Sequence, residues 1–151
     1  MANQVPNSYK TMLMKAQMDF DSDTFKMILM DLGFTFNKDT HRSYSDVSAY
    51  ELPTGNGYTV GGITLTLDAI TTDNVEDRCE VTFLNGTWTA SGGSISTVGA
   101  IIYNDSTDTA SGDDFTDAIV IWMDANGVQT VADGAALTVS NIMITQEDLP
   151  E

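Results

Sequence analysis

The sequence predicts a mainly β domain, an antiparallel sandwich or barrel-like fold led by one N-terminal helix and touching the α+β class at its margin. Three observations carry this. From residue 24 onward the apolar residues come in short runs separated by turn pairs: Asn56-Gly57, Gly61-Gly62, Asn85-Gly86, Gly92-Gly93 and Asp133-Gly134. Short apolar runs punctuated by turn signals of this kind are the pattern of an antiparallel sandwich or barrel. Within residues 63–67, Ile63, Leu65 and Leu67 alternate with threonines, the period-2 pattern of a strand with one wet face. The one stretch rich in helix formers precedes all of these.

That stretch is residues 8–20, SYKTMLMKAQMDF. Met12, Leu13, Ala16 and Phe20 form a helical stripe, while Met12, Met14, Ala16, Met18 and Phe20 alternate as in a strand. Its Met, Leu, Lys, Ala and Gln favour helix over about 8–18, ending before DFDSD, with the methionines as adaptable core filler. TFKMILMDL (24–32) reads as a strand apolar on both faces. Residues 37–53 are polar and end in a proline, the composition of a loop with a helical turn.

The glycine pair 61–62 between YTV and ITLTL marks a bulge or a close backbone approach. EVTF, TWTA and VGAIIY within residues 79–105 are strand candidates, and the threonines flanking Trp88 suit an exposed face, which makes Trp88 a core or rim aromatic. Residues 104–117 are a long acidic loop. AIVIWM (118–123) is apolar on both faces and is expected to be a central strand, DANG (124–127) to close a hairpin into VQTV (128–131), and DGAA to turn into one strand, LTVSNIMIT (137–145). No repeat or linker divides the chain, so residues 1–151 are expected to form a single domain, with its β part over about 24–146.

Six Lys and Arg against 22 Asp and Glu give a formal charge of −16. Such a surface repels phosphate backbones, which excludes direct nucleic-acid binding. Solubility alone accounts for the charge as well as a role in keeping neighbouring copies apart does. Cys79 is the only cysteine, so no intrachain disulfide or cysteine zinc cluster can form, and a small buried hydrophobe is the expected role. The start lacks the apolar core of an export signal and no run reaches the length of a membrane span, so neither export nor a membrane is expected. Asn85-Gly86-Thr87 and Asn104-Asp105-Ser106 fit the glycosylation pattern but read as turns in that setting.

Chemistry-bearing constellations are few. The only histidine, His41, sits in a polar loop with no nucleophile at a recognisable spacing. Asp19, Asp21 and Asp23 match the first three ligand positions of an EF-hand loop and are the metal candidates. Thr24 stands where that loop needs glycine, however, and Met30 where it needs a bidentate glutamate, so a solvated turn is the expectation. Asp105, Asp108, Asp113 and Asp114 could gather around a cation, although acidic loops of this kind are usually exposed. No phosphate-binding glycine loop opens a helix. No catalytic residue and no cofactor is expected.

Three stretches in order, DFDSDTFKMILM (19–30), SDVSAYELPTGNGYTVGGITL (45–65) and TWTASGGSISTVGAIIYND (87–105), resemble a group of small virion-associated proteins of tailed bacteriophages. Its members show a DSDT-like turn into an FKVAL-type strand, a GNGYTAGG element and a TWTATGGSIGP…AVLYND element. The likeness spans most of residues 8–124, carried by Gly57, Tyr58, Gly61, Gly62, Trp88, Gly92, Gly93 and Tyr103 together. It implies a structural component of the particle.

Within that implication the leading expectation is a capsid decoration or cement protein on the outer head surface, assembled in the host cytoplasm. It would bind the major capsid protein and copies of itself, as a homo-oligomer such as a trimer, without acting on a small-molecule substrate. Tyr58, Gly61, Gly62 and Trp88 are the interface candidates. A tail, neck or fibre component is the alternative from the same particle. From other classes come a carbohydrate-binding sandwich using Tyr58 and Trp88 as exposed aromatics and, last, a hydrolase on a β scaffold.

Overall fold

The computed structural model describes residues 3–147. The chain runs through helix α1 (Asn7–Met14), strand β1 (Phe25–Met30), the single-turn helix α2 (Tyr44–Val47) and then eight strands. These are β2 (Ile63–Thr64), β3 (Leu67–Asp73), β4 (Arg78–Phe83), β5 (Gly86–Thr89), β6 (Ile95–Asn104), β7 (Ala118–Val131), β8 (Ala136–Val139) and β9 (Ile142–Glu147). All pairings are antiparallel. A four-stranded sheet has the order β2-β1-β6-β7, a three-stranded sheet the order β3-β4-β9, and β5 pairs with β8. The fold is the mainly β, sandwich-like domain with an N-terminal helix that the sequence predicts.

The two-faced apolar pattern of β1 has a direct cause: the four-stranded sheet is a middle layer. Phe25, Met27 and Leu29 point into a core shared with Ile102 of β6, Val81 and Phe83 of β4, Ile142 and Ile144 of β9, and Trp88 and Leu137 of the β5–β8 pair. Ile28 and Met30 point the other way, into a second core with Ile101, Tyr103, Ile119 and Trp122 that Phe34, Phe36 and Val47 close. Most of these side chains are wholly buried, each contributing about 1.5–3 kcal/mol by removal from water. Phe25 lies in a stack, with Phe20 parallel at 4.8 Å and Phe83 tilted at 5.5 Å.

Several boundaries differ from expectation. The helix stops at Met14 rather than near residue 18, because Ala16 takes φ 55° and the chain leaves the helix there. Met18 still reaches the core, from the extended segment, and Met14 is 90% exposed, so core filling falls to Met12 and Met18. β7 is not central but the last strand of its sheet, and Gln4 and Ser43 bridge to Trp122 and Ala118. DANG closes no hairpin: β7 continues along β6, with Gly99 opposite Asp124 and Thr97 opposite Gln129, so residues 125–128 bulge out against Val98 alone. Residues 137–145 split at Asn141, φ 55°, into β8 and β9, which join different sheets. The strand Leu67–Asp73 has no counterpart in the sequence reading beyond residue 67. Cys79 is exposed rather than buried, since β4 there extends past the edge of the core.

Candidate functional site

The segment from Glu51 to Gly62 is where the structure concentrates its polar and conformational constraints. Glu51 is 8% exposed and bridges to Met30, with Leu52 N–H donating to Leu29 O at 3.0 Å, so the chain enters the fold alongside β1. A carboxylate held there needs donors, and three supply it. The Tyr44 hydroxyl donates to Oε2 at 2.5 Å, the Tyr58 hydroxyl to Oε1 at 2.6 Å, and the Gly61 amide to Oε1 at 2.7 Å. The Tyr58 oxygen in turn accepts from Leu29 N–H at 3.2 Å. Charge-assisted bonds of this kind are short and strong, and leaving one unmade in a buried place is costly.

Burial, followed by the hydrogen bond to Glu51, pushes the Tyr44 phenol up to about 12. Tyr58 is pushed above the ordinary tyrosine range by the same causes in the same order. Burial likewise raises Tyr9 and Tyr103. α2, which delivers Tyr44, is fixed by a capping box: Asp46 Oδ2 accepts from the amides of Arg42 and Ser43, and the Ser43 hydroxyl caps the helix start. Burial works to raise the Asp46 carboxyl, but those amides, the Ser43 hydroxyl and the Arg42 charge outweigh it and leave it lowered.

The glycines of this segment divide into two kinds. Gly62, at φ 66°, lies so near β1 that a Cβ would sit 1.9 Å from Met27 O, and a Cβ on Gly57 would sit 2.0 Å from Thr89 O. Gly61, at φ 92°, has open space around it and matters for its backbone angle and its amide. The turn from Gly55 to Tyr58 interlocks with the next glycine loop, since Ser91 N–H donates to Asn56 O and Asn56 Nδ2 to Ser94 O. Gly92 N–H donates to Asp133 Oδ1, and Gly134 N–H to Ala90 O, so a third loop is tied in.

Of the interface candidates, Gly61 and Gly62 are half-buried, while Tyr58 and Trp88 are only 2% and 4% exposed and pack against each other at 6.1 Å. Neither ring offers solvent a flat face, so the aromatic platform imagined for sugar binding is not built from them. Trp88 Nε1 and Ser8 Oγ are buried without a partner among the described residues.

The metal candidates do not converge. Asp19 Oδ1 accepts from Asp21 N–H, and Asp23 Oδ2 accepts from Asp19 N–H and from Asn104 Nδ2, so these carboxylates cap one turn and tie it to β6. The Ser22 hydroxyl and the Asp21 amide hold the Asp19 carboxyl below its usual range. In the acidic loop Asp105 pairs with Lys26 at 3.0 Å, Asp114 with Lys15 at 2.8 Å, and Asp108 caps the single turn Thr109–Ser111. Among the described residues no group of three or more His, Cys, Asp or Glu is placed to hold a metal ion. His41 stacks on Phe34, and its Nδ1 accepts from Asn37 N–H at 3.1 Å; burial lowers its pKa, against the nearby Asp46 charge.

Sequence reasoning missed Glu51, placing it in a polar loop. The available signal was a lone carboxylate inside Tyr-Glu-Leu, leading into a glycine-rich turn with a tyrosine. Comparison with protein-family models, with curated proteins and with solved structures found no match to this chain.

Proposed function

We propose that the chain is a structural protein of a bacteriophage virion, a non-enzymatic decoration or cement protein that binds the outside of the capsid in many copies and stabilises it. The observation that carries this reading is the use to which the phage-like residues are put. Gly57, Tyr58, Gly61, Gly62, Trp88 and Gly93 all hold loops against strands or against one another: Gly57 against Thr89, Gly62 against Met27, Gly93 against Asn56, Tyr58 and the Gly61 amide on Glu51, and Trp88 on Tyr58. A motif spent on fixing loop shape suits a protein that works by presenting a rigid surface to a neighbour.

The mechanism is linkage. A copy that binds the assembled shell and not its separated subunits stabilises the shell by RT ln(1 + [L]/Kd), about 2.7 kcal/mol per site at a hundredfold excess over Kd. The acidic surface, at −16 overall, faces bulk solvent in this arrangement rather than packaged DNA. Counting copies per particle by gel densitometry or electron microscopy tests it: hundreds support decoration, whereas six or twelve transfer the chain to the tail or neck, and none overturns the reading.

A further inference from the structure

The three-stranded sheet runs further out than the core that covers it. By register, Ile70, Val81 and Ile144 form one cross-strand row of its inner face, and Thr72, Cys79 and Gln146 form the next row on the same face. Val81 and Ile144 are buried in one core with Tyr9 and Met18, whereas Ile70 is 46% exposed and Cys79 is exposed. The inner face therefore parts from α1 and the segment 18–21, and a cleft of about 320 Å³ lies between them. That volume is at the lower limit of small-molecule sites, about 300–1,000 Å³.

The wall is apolar, with Leu13, Met18, Phe20, Val81 and Ile144 on it and Ile70 at its edge. The cleft between β6, the bulge after Asp124 and β8, by contrast, is lined mainly by polar residues. Two polar features interrupt the apolar wall. Tyr9 is only 3% exposed and lines the cleft together with Cys79, and its hydroxyl has no hydrogen-bond partner among the described residues. Burial, followed by the Cys79 charge, raises the Tyr9 phenol, which stays a neutral donor at working pH. Leaving such a donor without an acceptor is costly, and the apolar wall gives a water molecule few partners beside it. The second feature is at the mouth, where Asp19 and Asp21 are exposed and no Lys or Arg joins the lining. Asp19 is held ionised by the Ser22 hydroxyl and the Asp21 amide, and the Asp21 carboxylate has no hydrogen bond or ion pair among the described residues.

We propose that this cleft is a binding site for a small organic cation, an amine on an apolar body about one ring in size with a hydroxyl or other acceptor at its far end. The apolar body fills the space between α1 and β4, the acceptor takes the free Tyr9 hydrogen bond, and the ammonium group sits at the mouth against Asp19 and Asp21. Both ends of the ligand are thus specified, one by an orphaned donor and the other by uncompensated negative charge. This site is independent of the decoration reading, which assigns no ligand.

The test titrates three molecules into the full-length protein by calorimetry: tyramine, phenethylamine, which lacks the hydroxyl, and 3-(4-hydroxyphenyl)propionate, which reverses the charge. Alkylation of Cys79, the sole cysteine, by iodoacetamide is the second readout. Tyramine is expected to bind with a Kd below about 1 mM and to slow the alkylation. Phenethylamine should bind about 2–10-fold more weakly, as the loss of one hydrogen bond requires. The propionate should bind at least about fivefold more weakly than tyramine, by a margin that narrows at high salt. Tyr9→Phe should weaken tyramine by the same factor of about 2–10 and leave phenethylamine within about twofold, at an unchanged melting temperature, because no hydrogen bond of the free protein is removed. Equal affinity for the three molecules, no binding of tyramine at about 10 mM, alkylation that bound tyramine does not slow, or a Tyr9→Phe protein that loses both amines alike overturns the assignment. The first three of these are read on the wild type, and they decide the matter even if the variant does not fold.

Discussion

Replacing Glu51 by alanine removes the acceptor of three hydrogen bonds at once, and the structure sets the size of the effect. The Tyr58 hydroxyl lies where water is scarce, while Gly61 and Tyr44 are half-buried and their donors can be rehydrated. An unsatisfied buried donor costs about 1–3 kcal/mol, and bonds to a charged acceptor contribute about 1.5–3 kcal/mol each. Counting the sheltered Tyr58 donor in full and those of Gly61 and Tyr44 weakly gives about 2–4 kcal/mol for Glu51→Ala. Glu51→Gln keeps one oxygen for Tyr58 and Gly61 and turns an amide toward the Tyr44 oxygen, which can accept. It loses only charge assistance, about 1–2 kcal/mol.

For a domain of this size about 2–4 °C of melting temperature corresponds to each kcal/mol. Calorimetry should therefore show a drop of roughly 4–16 °C for Glu51→Ala and roughly 2–8 °C for Glu51→Gln. Lys15→Ala is the control: it breaks the ion pair with Asp114 at a side chain 52% exposed and should cost less than about 1 kcal/mol. A Glu51→Ala melting temperature within about 3 °C of wild type, or one no lower than that of Lys15→Ala, would refute the assignment of a stabilising role to the network.

The two neighbouring glycines should separate in the same assay. Gly62→Ala drives a Cβ into Met27 O of a central strand and is expected to prevent accumulation of folded protein, whereas Gly61→Ala meets open space and should cost about 1–3 kcal/mol from its φ of 92° alone; equal effects would contradict this division. Alkaline stability follows from Tyr9, Tyr44, Tyr58 and Tyr103, all raised first by burial. Above the ordinary value of 10 the unfolded chain releases these protons while the folded one retains them, so stability present below pH 10 is lost as pH rises toward and past about 12. Absorbance at 295 nm should show these four phenols ionising together with loss of near-ultraviolet circular dichroism, and smooth ionisation of all five tyrosines near pH 10 with the fold intact would contradict it.

What the sequence discloses here depends on how local the cause is. The two apolar faces of β1 are legible because burial between two cores stamps every position, with Met27 in one and Ile28 in the other. The alternation of residues 63–67 survives in the structure, with Leu65 buried between exposed Thr64 and Thr66, although hydrogen bonding there is too broken to make one strand. Thr87 and Thr89 are exposed and Trp88 is buried, as their spacing on β5 requires.

The misreadings share one physical origin, that turn chemistry specifies a local backbone shape and not where the chain goes next. Asn126 and Gly127 do take positive φ, 55° and 121°, as a hairpin turn would require. The path after them is decided by β6, which is long enough to offer partners for Thr130 and Val131 beyond the bulge, so β7 resumes the same ladder instead of reversing. Asn141 shows the converse: one residue at φ 55° redirects the segment 137–145, which the sequence reads as one strand, from Gly86 of β5 to Phe83 of β4 as partner. Glu51 was hidden for a related reason. Its partners come from seven residues before and from seven and ten residues after, and they lie on a separate helical turn and a loop rather than on one continuous helix or strand whose period would have marked them. They meet only because Gly57 and Gly62 let the loop close against Thr89 and Met27. The glycines that stood out in the sequence and the carboxylate that did not are therefore parts of one device: the first permit a close approach, and the second supplies the polar bonds that make the approach favourable.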